Sequence, residues 1–129
     1  MMNSTAYTLL EQYKTQLDQS FAIHQDADAA LSQWLSAHFS KAQLLVLLTA
    51  ILNDKEILAE ISARSYQHGN GFLKVVLLDR GYKLRLHIWF AGQSCEENIH
   101  DHRWSFASLV LTGALTSEIW SEDQTGQSF

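Results

Sequence analysis

Two histidines one residue apart carry the strongest chemical signal in this chain: His100 and His102, in the string Glu97-Asn98-Ile99-His100-Asp101-His102-Arg103-Trp104. In an extended strand, residues i and i+2 project to the same side, so both imidazoles reach one point a few ångströms off a sheet. Held that way they are two corners of a facial metal site. Imidazole accepts zinc, copper, iron and nickel, so the pair alone does not choose the metal. H-x-H arises by chance in any histidine-bearing strand, and the flanks are what set this one apart. Phe106–Leu111 is an apolar run, Thr112-Gly113 ends it, and Ala114–Trp120 starts another.

A third ligand is harder to find. His87 is the best candidate, because its strand runs into the loop before His100. Against that, Lys83, Arg85 and His87 share one face and also read as an ordinary solvated sheet surface. His24 and His38 are lone histidines on or beside amphipathic helices, where surface or half-buried packing accounts for them. His68 reads as a surface residue beside a Gly-Asn-Gly loop. Trp89 and Trp104 either wall a pocket or belong to the core. Cys95 has no basic neighbour to depress its pKa, and Glu96 and Glu97 are adjacent and so point in different directions.

The elements that must position these groups divide the chain at about residue 67. With 129 residues, 47% hydrophobic and 18% charged, the sequence is that of one globular domain, 1–129. Residues 1–67 read as helical. Ala6, Leu9, Leu10, Tyr13 and Leu17 recur at helical spacing, as do Ala27, Ala30, Leu31, Trp34 and Leu35. Ser40-x-x-Gln43 opens a further helix over Ala42–Leu52, whose Gln43–Leu52 run is apolar enough to predict a buried helix. Asn53-Asp54 stops it and caps a shorter one carrying Ile57, Leu58 and Ile61.

At Gly69–Gly71 the period changes to two. Strands are expected near 72–78, 82–90, 99–104, 106–112 and 114–121, with Asp79-Arg80-Gly81 as a hairpin turn. Tyr82, Leu84, Leu86, Ile88 and Phe90 form one face of the second strand; Lys83, Arg85, His87 and Trp89 form the other. The expected fold class is therefore α+β, with N-terminal helices packed on an antiparallel β unit over 68–129.

Charge and cysteine usage exclude some functions. Net charge is −5 and no Lys/Arg cluster exists, which argues against nucleic acid and anionic membrane as partners. The Gln43–Leu52 run is about half the length of a membrane span. One cysteine cannot form an internal disulfide, and no charged segment precedes an apolar one at the N-terminus, so a cytoplasmic location is expected.

The order of strand, loop, H-x-H, strand and glycine resembles the first motif of the cupin superfamily, G-x(5)-H-x-H-x(3,4)-E-x(6)-G. Within it, the helices leading into the barrel, the Ile99-His100-Asp101-His102 string and the upstream Trp89 are similar to thiol dioxygenases of the cysteine-dioxygenase type. The similarity covers residues 60–122 well and the helical half in outline. It implies a jelly-roll barrel holding Fe(II) through histidines, His100 and His102 being the first two, with O2 and a small thiol or amino-acid-like molecule as substrates. Lys74 stands where the family's substrate-carboxylate arginine falls, which implies an anion anchor that is a point charge rather than a bidentate fork. Arg85 and His87 would line the pocket. The motif's Glu falls at Phe106 or Ala107, so no carboxylate ligand comes from there, and Ala107 cannot form the crosslink that a cysteine makes there in animal members.

The second cupin motif is not found: Ser121–Phe129 contains no histidine. About five strands are expected, against the eight or so of a closed jelly roll, so the barrel is expected to be incomplete. Either the sequence is a piece of a longer protein, which its polar ending favours, or a second copy completes the barrel as a homo-oligomer. Two other functions stay open: a cupin that binds a small ligand or regulates without turnover, and a zinc- or nickel-dependent isomerase or lyase.

Overall fold

Helices in this protein start where a short polar side chain can satisfy the first free amides. The computed structural model describes residues 3–23, 27–67, 69, 71–90 and 106–113. Helix α1 covers Thr5–Ile23, α2 Ala27–His38, α3 Lys41–Leu52 and α4 Lys55–Arg64. Ser40 caps α3, its hydroxyl oxygen accepting from the Gln43 amide at 3.1 Å. Asp54 caps α4 in the same way, accepting from the Ile57 amide at 3.1 Å. Ser4 accepts from the Tyr7 amide at 3.1 Å at the start of α1. Each such bond satisfies one of the otherwise unpartnered donors of a helix and is worth about 1 kcal/mol. Two of these caps are joined, because the Ser4 hydroxyl donates to Asp54 Oδ2.

The helical spacing read from the sequence puts the expected faces inward. Ala6, Leu10, Tyr13 and Leu17 of α1, Trp34 of α2, Leu47 and Ile51 of α3 and Ile61 of α4 form one buried cluster with Phe39. Tyr13 meets Trp34 edge-on with ring centroids 5.4 Å apart, and Phe39 lies 5.4 Å from Tyr13. His38 stacks on Trp34 at 4.8 Å and places Nδ1 2.9 Å from that residue's carbonyl oxygen, so it is a half-buried packing group as expected.

Gly71, with φ at +85°, leads the chain into β2, Phe72–Asp79, which pairs antiparallel with β3, Lys83–Trp89. A two-residue strand, β1 at Tyr66–Gln67, pairs antiparallel with the other side of β2, giving the order β1-β2-β3. The α+β class and both hairpin strands thus agree with the sequence. The register slips by one residue between Val76 and Leu78: Val76 pairs with Arg85 but Leu78 with Leu84. Leu77 is the extra residue of a β-bulge, and the bulge lets Leu77 and Leu78 both enter the helical core.

Side chains of α4's end hold that bulge. Arg64 donates from Nε to the Val76 carbonyl at 2.8 Å and from Nη2 to the Leu77 carbonyl at 2.6 Å. Ser65 Oγ accepts from the Val76 amide at 3.0 Å and donates to the Ile61 carbonyl at 2.6 Å. At the hairpin turn, Arg80 pairs with Asp18 of α1 at 2.9 Å, and the Tyr82 hydroxyl donates to the same carboxylate at 3.0 Å. Burial, then that hydrogen bond and the Asp18 charge, push the Tyr82 phenol up to about 12.

Three expectations need correction. Tyr66–Gln67 lies in the part read as helical but is a strand, because the backbone past Ser65 finds a ladder partner in Leu73 and Lys74. Phe106–Leu111 reads as a strand, yet the described residues 106–113 form none. An apolar run becomes a strand only where a neighbouring edge accepts its amides, and Phe106 and Val110 are instead 55% and 54% exposed. Helix α3 is not buried all round: Leu45, Val46 and Leu52 are 64%, 58% and 67% exposed. Only one side of it faces α1 and α4; its other side has no described neighbour to bury it. The expected strands at 99–104 and 114–121 lie outside the described residues. Among the described residues no single helix is long and apolar enough to cross a membrane.

Replacing Arg64 with Ala removes both of its bonds to the bulge, so a loss of about 2 kcal/mol is expected in urea denaturation, and Arg64→Lys should recover less than half of it. A second expectation concerns acid. The Ser4 hydroxyl, then the Ile57 amide, hold the Asp54 carboxyl below its ordinary 3.8. A depressed pKa stabilises the fold above the unfolded value and is lost as pH falls through the folded one. The stability advantage of the native chain over Asp54→Asn should therefore be constant near neutrality and vanish on acidification below 3.8, as followed by thermal melts across pH.

Candidate functional site

Alternation along β2 and β3 sorts their side chains onto two faces. Val75, Leu77, Leu84 and Leu86 turn to the helices. The opposite face takes Phe72, Lys74 and Val76 from β2 and Arg85, His87 and Trp89 from β3. Three cross-strand pairs result: Phe72 with Trp89, Lys74 with His87, and Val76 with Arg85. Tyr66 of β1 adds to this face because it stands in register with Lys74. Lys74, Arg85 and His87, singled out in the sequence, are therefore brought together on one side of one hairpin. Side chains directly opposite in such a ladder have Cβ atoms about 5 Å apart.

This face is not an ordinary solvated surface. Phe72 and Val76 are only 7% and 5% exposed, yet they stand outside the helical core cluster. Arg85, His87 and Lys74 are half-buried, and the Nε2 atom of His87 is buried. The His87 ring lies 4.7 Å from the Phe72 ring and 5.9 Å from that of Trp89, and Phe72 and Trp89 are 4.8 Å apart. Lys74 Nζ sits 5.3 Å from the Tyr66 ring centroid and 6.0 Å from that of Phe72. Each such cation–π contact is worth roughly 0.5–1 kcal/mol. Among the described residues neither Lys74 nor Arg85 forms an ion pair. The result is an aromatic frame around His87 and Lys74, with Arg85 beside it on the same face, and the two cations there can attract a small anion.

Reading the sequence missed two members of this frame. Phe72 was visible as the i−2 neighbour of Lys74, since period two puts both on one side. Tyr66 carried no such signal, because a two-residue strand has no period. His100 and His102 lie outside the described residues, as do His24, His68, Cys95, Glu96, Glu97 and Trp104. Among the described residues no group of three His, Cys, Asp or Glu side chains could hold a metal ion. Comparison with protein-family models, with curated proteins and with solved structures finds no match to this chain.

If the frame rather than the cations holds this face together, Phe72→Ala should cost about 3 kcal/mol of stability. Lys74→Ala and Arg85→Ala should each cost less than about 1 kcal/mol. Urea denaturation of the three variants checks this, and a larger loss from Lys74→Ala than from Phe72→Ala would make the lysine a structural group.

Proposed function

We propose that this chain is a cupin-type non-haem iron protein that uses O2 to oxidise a small thiol or amino-acid-like substrate. The observation that carries the reading is the second face of the β2–β3 hairpin, where aromatic rings frame Lys74 and His87 and Arg85 stands on the same side, turned away from the helices. In a jelly roll that is the side on which a pocket forms, and the antiparallel hairpin supports such a barrel. The described residues offer one imidazole there, with Nε2 buried, which suits a ligand or a group beside the metal but is not by itself a metal site. In this proposal His100 and His102 are the principal ligands and His87 completes the set or orients substrate. Ferrous iron held there would supply dioxygen activation, adding both oxygen atoms to the substrate sulfur.

The chain's own groups have separate tasks. Lys74 anchors the substrate's negative group as a point charge, with Tyr66 and Phe72 flanking its ammonium and lowering its access to water. Arg85 adds positive potential on the same face, and Phe72 and Trp89 fix the plane of the His87 ring. A cytoplasmic location is part of the proposal, and the single cysteine supports it.

The test joins metal analysis to oxygen uptake. With two principal ligands the purified chain should bind Fe(II) weakly, lose that binding in the His100→Ala/His102→Ala double variant, and consume O2 with small carboxylated thiols only slowly unless a third ligand is supplied. Lys74→Ala should raise KM by about tenfold, the loss of one partly desolvated charge contact, with a smaller effect on kcat. Unchanged metal content in the double variant would overturn the metal assignment. Bound zinc or nickel without oxygen uptake would replace the reading with a lyase or isomerase, and ligand binding without turnover would make it a binding protein.

A further inference from the structure

We propose that α3 is a dimerisation helix, pairing antiparallel with the α3 of a second copy about a twofold axis. The helix has two apolar sides. Leu47 and Ile51 are buried against the rest of the protein, with Leu44 packed beside them. On the opposite side Ala42, Leu45, Val46, Thr49 and Leu52 follow the i, i+3, i+4, i+7 spacing and are all exposed. No charged side chain interrupts this stripe. Beside it, Ser4 and Thr5 at the start of α1 form with Val46, Thr49 and Ala50 a shallow groove of about 450 Å³. Single exposed apolar residues are normal, but a continuous uncharged stripe along a helix marks a contact surface.

Three features select a second copy as the occupant. The stripe is self-complementary in size. With the twofold axis at the level of Leu47, Ala42 faces Leu52 of the copy and Leu45 faces its Thr49, so each leucine meets a smaller residue and Val46 lies near the axis. Charge agrees with the antiparallel direction. The exposed Lys41 at the start of α3 falls level with the end of the copy's α3, the negative end of the helix dipole, where Asp54 follows. Finally, the lack of charge on the stripe gives a charged partner nothing to pair with, whereas two copies of a chain of net charge −5 meet there without like charges in contact.

The size of the contact sets its strength. At 1.5 Å per residue the helix is about 18 Å long, and the seam covers on the order of 400 Å² per copy. That is about half of a standard interface, so the dimer is weak and reversible.

Sedimentation velocity on the full chain, from about 10 μM to about 1 mM, should show concentration-dependent dimer. Leu45→Glu and Leu52→Glu, at exposed positions that leave the core intact, should each raise the dimer dissociation constant by about tenfold or more without changing the circular dichroism spectrum. In a Cys95→Ser background, Val46→Cys should crosslink under mild oxidation several times faster than a Glu60→Cys control on α4. A chain that stays monomeric up to about 1 mM overturns the proposal, as does a dimer indifferent to both glutamates. Leu45-dependent co-sedimentation of a monomer with phosphatidylcholine vesicles would overturn it in favour of a membrane surface.

Discussion

Val76 is a strand residue whose backbone is satisfied from one side by side chains, and the placement of the sheet depends on them. Its carbonyl accepts from Arg64, its amide donates to Ser65, and the next carbonyl, that of Leu77, accepts from Arg64 again. An unpartnered backbone group that is cut off from water costs about 1–3 kcal/mol, so a bulge in a half-buried strand persists only where something answers it. Here the answer comes from the last turn of α4 and the residue after it. One arginine and one serine therefore fix how the sheet sits on the helices. They also allow two consecutive leucines, Leu77 and Leu78, to enter a core that strict alternation would have given only one.

The two faces of the hairpin follow from that docking. Once Leu84 and Leu86 are committed to the helices, the pleat sends Arg85 and His87 to the other side, and register brings Lys74 opposite His87. The far end of the hairpin is held separately. Asp18 of α1 receives both Arg80 and the Tyr82 hydroxyl, and Phe21 stacks on the Tyr82 ring at 5.0 Å. Both partners of that ion pair are largely exposed, so its charge contributes little. The stacked rings and the shared carboxylate serve instead to orient the turn. A hairpin clamped at its bulge and at its turn presents the Phe72–His87–Trp89 rings in one arrangement.

Helix α3 shows the opposite situation, a local pattern with more apolar surface than its own fold uses. Its inner side packs against α1 and α4, and its outer side is equally apolar and meets water. Such a sequence is stable within the protein because of the inner half alone. The outer half adds nothing to the folded monomer, and association is the physical use that an uncharged, self-complementary stripe serves.

The helices and the two long strands were legible because their signals are local. Ser40, Asp54 and the spacing of Leu10, Tyr13 and Leu17 act over single turns, and the alternation through Leu84, Leu86 and Ile88 acts over one pleat. That Arg85 and His87 share a face follows from the same alternation. Other features needed the tertiary structure. Lys74 joins them only through the β2–β3 register, which the turn and the Leu77 bulge decide together. Nothing in Val75-Val76-Leu77-Leu78 announces that bulge, since four apolar residues in a row carry no period. Tyr66–Gln67 is too short for one, and Phe106–Leu111 has strand composition without a ladder among the described residues. A helix apolar on two sides, as α3 is, likewise does not say which side is covered. Spacing along the chain determines which side chains travel together; pairing and burial depend on groups distant in sequence, and only the folded chain brings those into reach.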